Sequence, residues 1–245
     1  MTAIMSYKLG SASAKKLASA LGARRVRPDG DFRNNFNHMI INWGSSTPPQ
    51  FPTRAGIINK PEAVKLAVNK YFTLRRLTEA GVPTLVFYTS AVEAGEAVQN
   101  GKVIFARKDL TGRSGSGIIV IRDINEMVGA PLYTEFFDKK IEYRVHVAFG
   151  SVFDFQAKLK RNGVDADPYV FSYDNGRVFC RGDIELPPAA EQAAVDAVAA
   201  LGLDFAALDI GVDEDGNVAV FEVNTSPALE GTTLERYSEV LGAIR

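Results

Sequence analysis

Apolar positions recur along the chain with two periods, and the switches between them lay out its elements. In residues 11–22, SASAKKLASALG, Ala14, Leu17, Ala18 and Leu21 fall at helical spacing, with Gly22 placed to end the helix. HMIINWGSS reads as a buried strand running into a Gly/Ser turn, and the proline-rich STPPQFPTRAG marks the clearest boundary in the chain. A helix is expected from about Lys60 to Ala80, with Pro61 suited to its first turn and Gly81 to its end. Strand TLVFYT, helix AVEAGEAV, strand KVIFARK, a glycine-rich loop and strand GIIVIR follow. Two or three long strands fill 131–160, PPAAEQAAVDAVAALG is an amphipathic helix, and AALDIGV and VAVFEVN form a hairpin before a last helix from about Thr232. Mixed elements with frequent hairpins predict an α+β fold rather than a doubly wound parallel sheet.

The last hairpin carries chemistry. Its connecting sequence DEDGN contains Asp-Gly, a strong turn signal. A two-residue Asp215-Gly216 turn, or a four-residue loop over 214–217, places Asp209 opposite Glu222 with Asn224 on the same face two residues on. A three-residue loop would break that pairing. Opposed carboxylates repel by roughly 3 kcal/mol at an effective dielectric near 20. A hard divalent cation removes the repulsion, and Mg²⁺ is commonly held by one or two carboxylates plus substrate phosphates. Asp209, Glu222 and Asn224 are therefore candidate metal ligands, against the plainer alternative of solvated acids at strand ends.

Two further features are basic or glycine-rich. ARKDLTGRSGSGIIVI places Gly112, Ser114, Gly115, Ser116 and Gly117 in one loop, able to aim backbone N–H groups at phosphate oxygens, with Arg107, Lys108 and Arg113 flanking it. It is neither a Walker A loop nor a Rossmann fingerprint, because a β-type run follows it. It reads as a hairpin lid over phosphates, or else as a flexible hairpin tip. In KKIEYRVHVAFGSVFDFQAKLKR, Glu142, Arg144 and His146 share one strand face, and Asp154, Gln156, Lys158 and Lys160 share a face of the next. The polar faces coincide if the turn near Phe149-Gly150-Ser151 has an odd number of residues, as in a three-residue loop.

Composition narrows the classes. The chain has 245 residues, 46% of them hydrophobic, and a net charge of −1, which gives no general electrostatic case for nucleic acid or an anionic membrane. One cysteine, Cys180, supports neither an intrachain disulfide nor a zinc cluster, so a reducing compartment is expected. MTAIMSYKLG lacks a signal-peptide apolar region and no run approaches the ~20 apolar residues of a membrane span, so a cytoplasmic location is expected.

The order LYTEFF…IEYR, LDI and FEVNTSP, preceded by the glycine hairpin, resembles the ATP-grasp superfamily over about residues 65–235. The resemblance is greatest to its carboxylate–amine ligase branch, with D-alanine–D-alanine ligase, glutathione synthetase and ribosomal-protein glutamate ligases. It implies two α+β subdomains clasping ATP, residues 59–130 and 131–245, after a short N-terminal α/β region, residues 1–58. It implies Mg²⁺, or Mn²⁺ in its place, on Asp209, Glu222 and Asn224. It also implies a hinge over Glu135, Phe136, Phe137 and Asp138 against adenine, and Glu142 on the ribose. Lys70 resembles one phosphate-binding residue; ARKD leaves Arg107 and Lys108 as alternatives for the second. Arg144 would orient the acyl group or the transferring phosphate, with Lys158 as a second catalytic residue.

The implied activity is an ATP-dependent ligase joining a small-molecule or peptide carboxylate to an amine through an acylphosphate, releasing ADP and phosphate. A small-molecule kinase and a nucleotide-binding module without turnover are the alternatives. Assembly is open, a homodimer included. Trp43 and its Gly/Ser turn are candidates for one substrate pocket, against a plain core role for the tryptophan.

Overall fold

In a computed structural model, the described residues are 2–32, 38–111, 117–164, 169 and 176–244. They form three sheets. The first is parallel, in the order β2-β1-β3-β4, from β1 (Thr2–Ser6), β2 (Arg24–Val26), β3 (Met39–Trp43) and β4 (Ile57–Ile58). Helix α1 (Ala12–Ala20) buries Ala14, Leu17 and Ala18, the expected stripe, and the Ser11 hydroxyl accepts from Ala14 N–H at its start. Strand β1, not among the elements that periodicity predicts, lies inside this sheet between β2 and β3; its run AIMS is buried, as a strand covered on both faces requires.

The expected 60–80 helix is two helices, α2 (Pro61–Val68) and α3 (Lys70–Glu79). Asn69 leaves helical geometry (φ −100°, ψ 112°) and caps α3 by accepting from Phe72 N–H. Thr73 Oγ1 lies within hydrogen-bonding distance of the α2 carbonyls of Leu66 and Ala67, and Lys70 N–H goes to the Leu110 carbonyl. Several of the groups freed by the break thus find new partners.

The second sheet, antiparallel in the order β5-β8-β6-β7, is built from β5 (Phe87–Tyr88), β6 (Ile104–Arg107), β7 (Ile118–Ile121) and β8 (Leu132–Glu135), with α4 (Ala91–Gln99) against it. Strand β8 pairs here although it follows residue 130. Only Phe87–Tyr88 of the expected TLVFYT strand joins this sheet. Its first part bonds the third sheet instead: Thr84 Oγ1 donates to the Val220 carbonyl and Val220 N–H to that of Pro83.

The third sheet is antiparallel in the order β11-β10-β9-β12-β13, from β9 (Ile141–Ala148), β10 (Ser151–Lys160), β11 (Arg177–Cys180), β12 (Phe205–Val212) and β13 (Val218–Asn224). One face packs on α5 (Pro188–Ala200), whose Ala190, Ala193, Ala194 and Ala197 let it approach Val145, Val147, Leu208 and Ile210 closely. The other face is divided. At one end it is covered by the first sheet, α1 and α6 (Gly231–Gly242), through a core of Trp43, Phe205, Ala148 and Tyr237. At the other end it is open. Trp43 is fully buried, stacked on Phe205 at 5.4 Å with its indole N–H on Ser13, so its role is packing.

Asn59 joins the first sheet to the third. Its side-chain carbonyl accepts from the N–H groups of Asp204 (2.7 Å) and Phe205 (3.1 Å), and its amide donates to the Phe205 carbonyl. It is fully buried in left-handed geometry, φ 58°. Among the described residues no helix is long and apolar enough to cross a membrane.

Two predictions follow from these cores. Asn59→Ala leaves two buried N–H groups unpaired and should lower stability to urea by about 2–4 kcal/mol. His146, against Tyr237, is pushed down to about 4 by burial. Its folded pKa lies below the unfolded one, so the unfolded chain binds the proton first. Stability should be complete above about pH 6.5 and fall as pH approaches 4, by up to ~3 kcal/mol from this group. Urea unfolding from pH 7 to 4.5 should show this loss in the wild type but not in His146→Gln.

Candidate functional site

The open half of the third sheet is a grid. Strand register lines up Gln156, Arg144, Asp209 and Glu222 as one row across β10, β9, β12 and β13. The rows on either side are Lys158, Glu142, Gly211 and Ala219, and Asp154, His146, Ala207 and Asn224. The expected opposition of Asp209 and Glu222 is present, and so is the coincidence of polar faces on β9 and β10. Both arise differently from the turns that spacing suggested.

The β12–β13 loop is odd: Asp213 N–H bonds the Asn217 carbonyl, closing three residues, and Val212 pairs with Val218. A bulge between Asp209 and Ile210 on the β12 side, taken up by Phe221 on β13, then restores Asp209 to Glu222. The β9–β10 turn is even, with Phe149 (φ 51°) and Gly150 (φ 79°) both left-handed, and a bulge at Phe153 brings Asp154 opposite His146. Each bulge places two consecutive residues on one face. Phe221 and Glu222 both line the cleft, and the Phe221 ring lies over Gly211, where a Cβ would sit 2.2 Å from the ring. Glycine is required there.

Above the grid is a cleft of about 480 Å³, whose far wall is the second sheet and its hairpin. Of the expected residues, Lys70, Arg107, Glu135, Phe136, Phe137, Glu142, Arg144, Lys158, Asp209, Glu222 and Asn224 line it. Strand alternation separates Arg107 from Lys108. Arg107 faces inward beside Phe105 and donates to Thr134 Oγ1, whereas Lys108 turns outward to the Gly129 carbonyl. Asp138 is exposed and outside the lining; its neighbour Lys139 points in and pairs with Glu142 at 3.2 Å. Gly112, Arg113, Ser114, Gly115 and Ser116 lie outside the described residues. Gly117, just before β7, accepts from Lys108 N–H at 2.9 Å.

The two opposed acids are in different electrostatic states. Asp209 accepts a bidentate pair from Arg144, 2.8 and 2.9 Å, and a third bond from Lys158 Nζ at 2.8 Å. Burial alone would raise its pKa, but Arg144 and then Lys158 outweigh burial and hold it well below the carboxylate range. Lys158 also bonds Glu142. Glu222 makes no ion pair or side-chain hydrogen bond among the described residues; burial and then the Asp209 charge push its pKa up. Burial likewise lowers the pKa of Arg107, which Glu222 partly restores. Asn224 Nδ2 is buried in the same corner with no partner among the described residues. Among the described residues no three His, Cys, Asp or Glu side chains form a closed metal cage. What the described residues offer is one half-buried carboxylate without an ion pair, a second shared with two cations, and an amide, a donor set suited to a hard cation that keeps other oxygen ligands.

Sequence spacing alone did not single out Lys139, Phe179 or Phe221 as cleft residues. For Lys139 alternation misleads, since it puts Lys140 on the face of Glu142 and Arg144, and Lys139 lies before β9 begins at Ile141; for Phe221 only the bulge decides. Gly44 (φ +82°), just after β3, packs against Ser226 of the cleft lining, where a Cβ would lie 2.7 Å from the Ser226 hydroxyl.

No protein-family model matches the chain, and no curated protein matches it. Solved structures do. ATP-grasp ligase PsnB, complexed with minimal precursor, Mg and ADP, is 13% identical with a TM-score of 0.69 over 98% of this chain and 96% of that one. The macrocyclase MdnC from Microcystis aeruginosa MRC, bound with precursor peptide MdnA, is 13% identical with a TM-score of 0.64 over 98% and 99%. D-alanyl-alanine synthetase A from Vibrio cholerae is 15% identical with a TM-score of 0.68 over 98% and 96%. The chain has the α+β fold of the ATP-grasp ligases from end to end.

Proposed function

We propose that the chain is an ATP- and Mg²⁺-dependent ligase that joins a carboxylate to an amine through an acylphosphate. The observation that carries this reading is the half-buried Glu222 carboxylate, unpaired among the described residues, beside Asp209 and the buried Asn224 amide, in a cleft lined by Arg107 and Lys70. ATP would lie between residues 59–130 and 131–245, with residues 1–58 closing one end. Glu135, Phe136 and Phe137 would meet the adenine and Glu142 the ribose. Lys70, Arg107 and the glycine hairpin would hold the phosphates.

Asp209, Glu222 and Asn224 would hold Mg²⁺, or Mn²⁺ in its place, which supplies charge neutralisation on the phosphate oxygens. A carboxylate oxygen of the acid attacks the γ-phosphorus and the bond to ADP breaks. The amine nitrogen then attacks the acyl carbon, phosphate leaves, and the nitrogen loses a proton. Arg144 and Lys158 would orient the reacting oxygens, so the protein acts by positioning and charge stabilisation. PsnB and MdnC are solved with precursors, so a peptide is a candidate substrate beside small molecules.

Glu222→Gln should keep the fold and weaken Mg·ATP binding by at least about 30-fold, ~2 kcal/mol, in titration calorimetry. Unchanged affinity rejects the metal assignment. A screen of carboxylate and amine pairs should give ADP and phosphate, and hydroxylamine should trap the acyl group as a hydroxamate with the acid alone. Arg144→Ala should depress trapping more than ATP binding. A stable phosphorylated product without amine would mark a kinase, and AMP as product would reject the ligase reading.

A further inference from the structure

Phe179 sits on the edge strand β11 directly opposite Lys158. Its side chain is 45% exposed, so burial does not account for a large aromatic residue here. The ring lines the cleft, with Arg144 Cζ 4.6 Å and Lys158 Nζ 5.6 Å from its centroid. Both distances lie within the range where a ring face attracts a cation. These are the same two cations that hold Asp209. Each is therefore gripped from two sides, by a carboxylate and by a ring.

The two grips differ in kind. The carboxylate uses hydrogen-bond donors: Arg144 gives it Nε and Nη2, and among the described residues Nη1 makes no hydrogen bond. The ring attracts the guanidinium charge and uses none of its donors, leaving Nη1 available to an oxyanion. It also keeps its hold when a competing cation draws on the Asp209 oxygens.

We propose that Phe179 is a positioning residue that holds the Arg144 and Lys158 heads on its ring face, with their donors turned to the carboxylate or phosphate oxygens in the cleft; the functional half of this rests on the ligase reading above. A leucine would fill the space without attracting a cation, while a tyrosine would keep the ring.

The test compares wild type, Phe179→Leu and Phe179→Tyr in two measurements. The first needs no ligand: the arginine Nε–Hε resonance of Arg144, assigned with Arg144→Lys, read by NMR. It should be shifted by the ring current in wild type and Phe179→Tyr, and in Phe179→Leu it should lose the shift and exchange faster with solvent. The second is calorimetric titration of inorganic phosphate into protein loaded with Mg·ADP. Phosphate should bind about 3- to 10-fold more weakly to Phe179→Leu, recover in Phe179→Tyr, and Mg·ADP affinity should stay level in all three. An Arg144 resonance unmoved by Phe179→Leu overturns the proposal by itself. A moved resonance with unchanged phosphate affinity overturns the positioning role and leaves the ring as packing. A wild-type protein that takes up neither Mg·ADP nor phosphate overturns the ligase reading and the proposal's functional half together.

Discussion

The Asp209 carboxylate lies in the interior of a five-stranded sheet with a guanidinium and an ammonium on it, and the rest of the cleft is arranged around that buried charge. Taking three charges out of water is expensive, and only close, multiply bonded geometry compensates. The sheet supplies it by register: Arg144 is directly opposite Asp209, and Lys158 reaches diagonally from one row along. Because both cations are committed to Asp209 and Glu142, none of the pairs formed among the described residues reaches Glu222. The site therefore stores an unmet demand for positive charge at one place and an excess of donors beside it. Both conditions suit a ligand that brings a cation and several oxyanions at once.

The frame that holds this arrangement is less polar and more rigid. Alanines on α5 let the back of the sheet pack closely, while Trp43, Phe205 and Tyr237 seal the front at one end. Asn59 substitutes for a backbone partner between sheets, and the segment around Thr84 bonds the third sheet before entering the second. The cleft is thus bounded on one side by a tightly docked wall and on the other by a small sheet attached through few strands.

Much of this was legible in the residues, for identifiable reasons. Long apolar alternation in IEYRVHV and AALDIGV located the strands and their polar faces, and Asp-Gly located the hairpin. The helix break at Asn69 was written in its capping preference, yet the flanking helical periodicity masked it. AIMS in β1 is a run too short to separate from a helix segment by periodicity. Register came out correctly by compensation, since an odd loop with a bulge, or an even turn with a bulge, leaves the same residues opposed. Bulges depend on what packs over the strand, such as the ring above Gly211, and local spacing does not contain that. The choice between Arg107 and Lys108 needed the position of β6 relative to the cleft, which is tertiary.

The extra residue at Phe221 has an implication for descent. Were Phe221 excised, Asp209 would still face Glu222 and Ile210 would still face Val220, with the ladder now regular. The sheet itself has no need of the inserted residue. A lineage that kept the fold but abandoned the chemistry would be at liberty to drop Phe221, and then to let Gly211 grow a side chain. Phe221 and Gly211 should accordingly be gained and lost as a unit, a record of whether the cleft above them is still in use.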